Sequence, residues 1–288
     1  MLHPLPARTF TTAFRPSKFG LYAAPVSAAY LEPVTDSPGV VSLLLNRPKA
    51  KNAISLRLLK ELQECLDQVR SDKSTRVLVV RSSTPGAFCA GADLVERASM
   101  SKAQVDQFLL DLRRALGTLE GLPVPTLAAI DGPALGGGLE LGLACDLRIA
   151  GHAVTKIGLP EVRLGIIPGA GGTQRLTRLL GLAKAKDLIF TARMLTAREA
   201  LEYGVVDYVS APESTAFDRA LQLAEQIGAN APLALRAAKQ AISRVPEMGF
   251  ESGLDFERAS YEPLLHTKDR LEALQAFREK RAPSFKGE

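Results

Sequence analysis

The chain has 288 residues, 46% hydrophobic and 23% charged, which excludes a disordered or collagen-like polymer and suffices for a large buried core. Lys and Arg total 36 against 31 Asp and Glu, a net charge of +5. Residues 1–31 hold Arg8, Arg15 and Lys18 and no acid. The remainder carries 33 bases and 31 acids, so the excess is mostly N-terminal and argues weakly for nucleic-acid binding by the body. That segment, rich in Ser, Thr and Ala, reads as a mitochondrial transit peptide, with an untargeted tail as the alternative. The predicted body starts at Glu32. Val40–Leu45 reads as a buried strand, ended by Asn46-Arg47-Pro48. Ser55 then caps a helix whose apolar face is Leu58, Leu62, Cys65, Leu66 and Val69. A second strand is predicted over 76–81, a Gly-rich turn over 85–91, and a helix over 102–120 stopped by Pro123 and Pro125. A third strand follows over 126–130, then a helix over 139–145 and a strand over 146–150. Uniformly apolar strands alternating with helices indicate an α/β core with strands buried on both faces. After Val209 only helices are predicted, over 216–227, 232–243, 250–264 and 268–280, with no Gly/Ser linker before them. The expected organisation is a leader over 1–31, a core over 32–227 and a helical region over 228–288.

The three cysteines, Cys65, Cys89 and Cys145, form no CxxC, and the three histidines, His3, His152 and His266, form no HExxH. This argues against a disulfide scaffold or a zinc site and fits a reducing compartment. No apolar run reaches about 18 residues, so no membrane span is expected.

Three stretches carry the chemistry: Phe88-Cys89-Ala90-Gly91-Ala92-Asp93-Leu94, the run 131–141 with Gly136-Gly137-Gly138, and the run 159–175 with Gly169-Ala170-Gly171-Gly172. Each glycine loop follows a strand and precedes a helix, so backbone N–H groups can converge on an anion. A phosphate is one candidate; a thioester oxygen that becomes an enolate is another. GxxxxGK(S/T), GxGxxG and GxSxG are all absent, which weakens mononucleotide and α/β-hydrolase readings. Glu140 stands among leucines, as a solvent-facing acid, a helix-dipole partner or a buried functional acid. Glu161, taken alone, reads as a solvated loop acid. Together the two can straddle one site and share a water, one as base and one as acid.

At these residues the chain resembles the crotonase (enoyl-CoA hydratase/isomerase) superfamily, from Val40 to the C-terminus. The matching motifs are Leu45-Asn46-Arg47-Pro48 with Asn52-Ala53, Ala90-Gly91-Ala92-Asp93, Gly136-Gly137-Gly138-Leu139-Glu140, Cys145-Asp146 and the stretch from Pro168 through Gly169 to Arg175. The 267–272 segment and the ending 277–288 are similar to a mitochondrial branch that hydrates methylglutaconyl-CoA and includes an AU-rich-RNA-binding member. The resemblance implies an α/β crotonase-like spiral of ββα units with a C-terminal helical trimerisation region, assembled as a homotrimer or homohexamer in the mitochondrial matrix. It implies an acyl-CoA substrate and no separate cofactor or metal. The Ala92 and Gly137 N–H groups would form an oxyanion hole, Glu140 would activate water, and Glu161 would deliver a proton. Lys49, Ala53, Ala90, Asp93 and Gly169 would meet substrate or CoA, and Phe277 and Lys280 would reach the CoA of a neighbouring subunit. The implied reaction is hydration of methylglutaconyl-CoA, in leucine breakdown, or of a short 2-enoyl-CoA, in fatty-acid β-oxidation.

Two positions depart from the pattern. Relatives often carry Lys where this chain has Val95, leaving Arg97 as the substitute. The RNA-binding relative presents a comb of lysines on its first helix; here the positions are Leu56, Lys60 and Glu64, and a single base speaks against RNA. The competing readings are an enoyl-CoA isomerase, an RNA-binding protein on the same fold, and a non-catalytic acyl-CoA-binding subunit. Cys89 and Cys145 read as small core residues, and Asp93 and Arg175 as residues that pin loops.

Overall fold

The computed structural model describes residues 27–288. Its main sheet has six strands: β1 (Ala29–Pro33), β2 (Val40–Leu45), β3 (Val77–Ser82), β4 (Thr126–Ile130), β6 (Leu147–Ala150) and β8 (Tyr208–Val209), adjacent in that order. β1 runs antiparallel to β2 and the other neighbours are parallel, with Val41 beside Leu78, Val79 beside Leu127 and Ala128 beside Arg148. A two-stranded parallel sheet pairs β5 (Ala134–Leu135) with β7 (Ile157–Gly158).

The uniform apolar runs serve two cores at once, because successive side chains leave a strand on opposite faces. Leu78 and Val80 of β3, with Ala128 and Ile130 of β4, enter the larger core. Val77 and Val79, with Leu127 and Ala129, enter a second core covered by α8 (Ala216–Gly228) through Ala216, Ala220, Leu223 and Ala224. The larger core takes α1 (Leu56–Ser71), whose first turn is capped by the Ser55 hydroxyl accepting from Leu58 N. It also takes α3 (Lys102–Glu120), started by a Ser101–Gln104 capping box and buried through Phe108, Leu112, Leu116 and Leu119. The short helix α2 (Leu94–Ala98) precedes α3, and α4 (Gly137–Leu143) lies wholly inside the protein. Beyond β7 come α5 (Gly172–Leu180), α6 (Leu182–Thr191) and α7 (Ala197–Tyr203).

The helical region is α9 (Pro232–Arg244), α10 (Phe250–Tyr261) and α11 (Lys268–Glu279). α9 packs on α10, yet neither buries a single residue within the chain. The C-terminal tail returns onto α11, where the buried Asp269 carboxylate accepts from the N–H groups of Lys286 and Gly287. No helix among the described residues is long and apolar enough to cross a membrane.

The boundary expected at Glu32 moves. β1 already begins at Ala29, and the Glu61 carboxylate of α1 accepts from the N–H groups of Ala28 and Ala29. Residues 27–31 therefore belong to the body; the rest of the expected transit peptide lies outside the described residues. Other differences are small. α4 starts at Gly137 rather than Leu139, and the helix expected over 250–264 stops at Tyr261 and continues as a 3-10 turn over Glu262–His266.

Candidate active site

Two loops far apart in sequence are stitched side by side at one end of the sheet. Asn52, fully buried, accepts from Arg47 N and donates to Ser82 Oγ and to the Phe88 carbonyl. Ile54 N donates to the Gly91 carbonyl at 2.7 Å, Asp93 N to the Ile54 carbonyl, and Ala90 N to the Lys51 carbonyl. This holds the segment carrying Lys49 and Ala53 against the segment carrying Ala90, Ala92 and Asp93. Lys49 and Ala90 stand exposed on it. Asp93 has both oxygens engaged: one caps α2 through Glu96 N, and the other takes the Arg47 guanidinium at 2.9 Å. These bonds tie Asp93 to the Arg47 side chain on one side and to the start of α2 on the other.

The glycine run enters from the other side. Gly136 N donates to the Gly158 carbonyl, and α4 begins at Gly137. A Cβ at Gly91 would lie 3.4 Å from Gly137 N, and one at Gly137 would lie 3.6 Å from Ala92 N, so the two amides are neighbours. Neither donates to a protein acceptor among the described residues. Two neighbouring N–H donors left without an acceptor can bind a single oxygen that gains charge during a reaction.

Glu140 is 2% exposed, one turn into α4. Its Oε1 accepts from Ala170 N and Gly172 N, each at 2.8 Å. Gly172 is the first residue of α5, so the positive end of that helix also faces the carboxylate. Burial pushes the Glu140 carboxyl above its ordinary value, and the two amides and then Arg175 oppose the rise by favouring the charged form. Position alone makes Glu161 a solvated loop acid. The structure instead places it on a 3-10 turn over Glu161–Leu164, 8% exposed, with Oε2 buried and without a hydrogen-bond partner. Burial pushes its carboxyl up to about 7. Its own backbone N–H opposes the rise, and the negative charge of Glu140 adds to it. Glu161 Oε1 lies 2.8 Å from where a Cβ of Gly136 would stand, and the Gly136 carbonyl accepts from Glu140 N, so the two acids meet at the start of α4.

Gly169 sits just before the two amides that hold Glu140, with Leu109 of α3 3.1 Å from where its Cβ would be. Phe277, 84% exposed, and Lys280 lie on and just after α11, which packs against the Glu262–His266 turn and the tail. That turn is not one of the elements that carry Glu140 or Glu161. Val95 is exposed on α2, and at the comb positions Leu56 is exposed while Lys60 pairs with Glu64 at 3.8 Å. Cys65, Cys89 and Cys145 are buried free thiols pushed up to about 11, 12 and 12 by burial, as core residues would be. No group of three or more His, Cys, Asp and Glu suited to a metal ion occurs among the described residues. The amide donors of Ala170 and Gly172 were not individually legible; the signal was the glycine cluster around them.

Comparison with known proteins gives the family. The enoyl-CoA hydratase/isomerase family matches residues 35–288. An enoyl-CoA isomerase/hydratase, fer4, of Mycosarcoma maydis is 55% identical over 269 residues, covering 90% of this chain and 97% of its own. The mitochondrial methylglutaconyl-CoA hydratase of Mus musculus is 48% identical over 256 residues, covering 88% and 81%. The crystal structure of an enoyl-CoA hydratase from Bacillus anthracis superposes with a TM-score of 0.87 at 48% identity, covering 91% of this chain and 100% of that one. The fold is the crotonase fold, and the chain is a member of the enoyl-CoA hydratase/isomerase family.

Proposed function

We propose that the protein hydrates 2-enoyl-CoA thioesters, with Glu140 and Glu161 as its acid–base pair. The observation that carries this reading is the unequal solvation of two buried carboxyls in one site. Glu140 receives two amide hydrogen bonds, which favour its anion and suit it to take a proton from water. Glu161 keeps one oxygen without a donor and is held near 7, which suits it to give a proton at neutral pH. Water activated by Glu140 would add at C3, the thioester oxygen would become enolate-like against the N–H groups of Ala92 and Gly137, and Glu161 would protonate C2. The addition is redox-neutral, and coenzyme A enters as part of the substrate. Losing one oxyanion donor costs about 2.7–4 kcal/mol in comparable sites, so the two amides are the main stabiliser of the transition state.

The substrate proposed first is methylglutaconyl-CoA, on the strength of the mouse relative's name, with a short-chain 2-enoyl-CoA next. The name of the Mycosarcoma maydis relative supports a second reading, double-bond isomerisation, in which the same pair would move a proton along the acyl chain. Mitochondrial residence rests on the mouse relative's name and on the basic, acid-free leader. A trimer or a pair of trimers fits the exposed Ile242, Val245, Phe250 and Leu254 of the helical region, apolar side chains that a second copy would cover.

The test is hydration of methylglutaconyl-CoA and crotonyl-CoA by the full chain, followed by loss of the conjugated thioester absorbance, with Glu140→Gln and Glu161→Gln alongside. Loss of turnover in both variants supports the pair. Turnover equal to wild type in either one refutes it. Conversion of a 3-enoyl-CoA without hydration would favour the isomerase reading. Light scattering of the purified protein reads the assembly, and a monomer at micromolar concentration would rule out the trimer.

A further inference from the structure

Glu140 does not hold its own geometry. Of the two amides that fix it, Ala170 N belongs to a loop with no regular structure from Gly165 to Gly171, and Gly172 N to the first residue of α5 that follows it. Behind that loop lies Arg175, one turn into α5. One guanidinium nitrogen donates to the Ala170 carbonyl at 2.9 Å. The other two donate to one carboxylate oxygen of Glu120, the last residue of α3, at 2.7 and 3.1 Å. The backbone at Ala170 is therefore gripped from both sides, with its N–H bonded forward to Glu140 and its carbonyl bonded backward to Arg175. The fit is close. Gly171 takes φ of +107°, and a Cβ there would come within 2.4 Å of the Arg175 guanidinium. A Cβ at Gly172 would come within 3.0 Å of Glu140 Oε1.

We propose that Arg175, anchored by Glu120, is a positioning residue that holds the 168–172 loop so that its amides stay aimed at Glu140. The inference rests on the reading of Glu140 as the base. Stability alone does not account for the clamp. Glu120 is about half exposed while the Arg175 side chain is 14% exposed, and a pair with one open partner contributes little to folding. The arginine is bonded instead to the carbonyl of the residue whose amide serves the catalytic base. A fork with a fixed plane suits that task better than a point charge.

The charged groups facing Glu140 are Glu161 on the 3-10 turn and Arg175 on α5, with Glu120 behind Arg175. Arg148 and Asp146 lie past the far end of α4, paired with Asp207 and Lys239. Losing Arg175 removes a cation and loosens two hydrogen bonds to the anion. Both changes make Glu140 harder to ionise, so the rising limb of kcat against pH moves to higher pH.

The experiment compares wild type with Arg175→Gln, Arg175→Lys, Glu120→Gln and the double variant in the full chain, using the better of the two enoyl-CoA substrates. A misplaced catalytic group costs about 10- to 100-fold. The expected result is a loss of that size in kcat for Arg175→Gln with KM nearly unchanged, a rising limb displaced upward, and partial recovery in Arg175→Lys. Glu120→Gln should act in the same direction and more weakly, and the double variant should fall short of the product of the single effects. Amide hydrogen exchange of the 168–173 segment should quicken in Arg175→Gln with or without turnover. An unchanged limb and unchanged exchange in that variant would overturn the proposal, even if kcat falls through lost stability. Wild type that hydrates nothing would sink the hydratase reading while leaving the exchange measurement to decide whether Arg175 holds the loop.

Discussion

Ionising Glu161 works against the fold, and the sign of that effect can be read out by pH. Its carboxyl stands at about 7 in the native protein, raised chiefly by burial from the ordinary 4.5. An acid with a higher pKa folded than unfolded holds its proton more tightly in the native state. Below pH 4.5 the group is protonated in both states and is neutral to stability. As pH rises towards 7 the unfolded chain ionises first, so native stability falls, and above about 7 the loss is complete. The whole displacement corresponds to about 3 kcal/mol at about 1.36 kcal/mol per pH unit. The group is only partly desolvated, so water screens the charge and about 1–2 kcal/mol is the expected size. Glu161→Gln keeps the shape and cannot ionise. It should therefore lose turnover and yet unfold at higher urea concentration than wild type at about pH 8, by that 1–2 kcal/mol. At pH 4.5 the two proteins should match. The comparison is made at equal protein concentration, since assembly shifts apparent stability. A variant less stable than wild type at about pH 8, or a gap of the same size at both pH values, would refute the reasoning.

Three further outcomes follow from the same packing. Gly136→Ala would place a Cβ 2.8 Å from Glu161 Oε1 at a backbone φ of +51°, so about 1–3 kcal/mol of strain and a loss of about 100-fold in kcat are expected; full activity would contradict the placement of Glu161. Gly138→Ala would drive a Cβ to 2.2 Å from the Cys89 carbonyl, which is backbone and cannot step aside, so the unfolding midpoint should drop by about 1–3 kcal/mol or more. A soluble variant with the wild-type midpoint would count against that contact. Cys89 and Cys145, fully buried with thiols held near 12, should resist a thiol reagent at neutral pH until the protein is denatured; labelling at the rate of a free thiol would show that the core opens there.

The parts of the fold legible in the sequence are those where one physical signal dominates. β2, β3 and β4 are apolar on both faces because they serve two cores, and so stand out as continuous runs. α1 and α3 carry a cap and one apolar stripe. The segment missed at the start, Ala29–Pro33, is a short edge strand with Glu32 and Pro33 facing outward. What marks it as structure is Glu61, some thirty residues on, which bonds Ala28 and Ala29. β5, β7 and β8 have two residues each, too few for any periodicity, and exist because their partners are already in place. Glu140 was visible as an acid among leucines. Glu161 taken alone was not, because the short stretch Pro160-Glu161-Val162-Arg163 has no period that assigns a buried side; the Gly136 turn that lies against it comes from elsewhere in the chain.

The glycine runs also acquire a second meaning. Read from sequence, they are places where backbone amides approach an anionic ligand, and Ala92 with Gly137 fits that reading. At Gly136 and Gly172 the space a side chain would fill is taken by the protein's own carboxylates, Glu161 Oε1 and Glu140 Oε1. These two glycines therefore make room for the acids rather than for the substrate. Each acid lies against a loop distant in sequence. Moving the Gly136 loop outward would admit water to Glu161 and lower its pKa, whereas moving the 170–172 segment would strip Glu140 of the amides that favour its anion, so either movement would erode the difference between base and acid. The absence of side chains at these two positions is thus part of what keeps one carboxyl near 7 while its neighbour is bonded to amides that favour its anion.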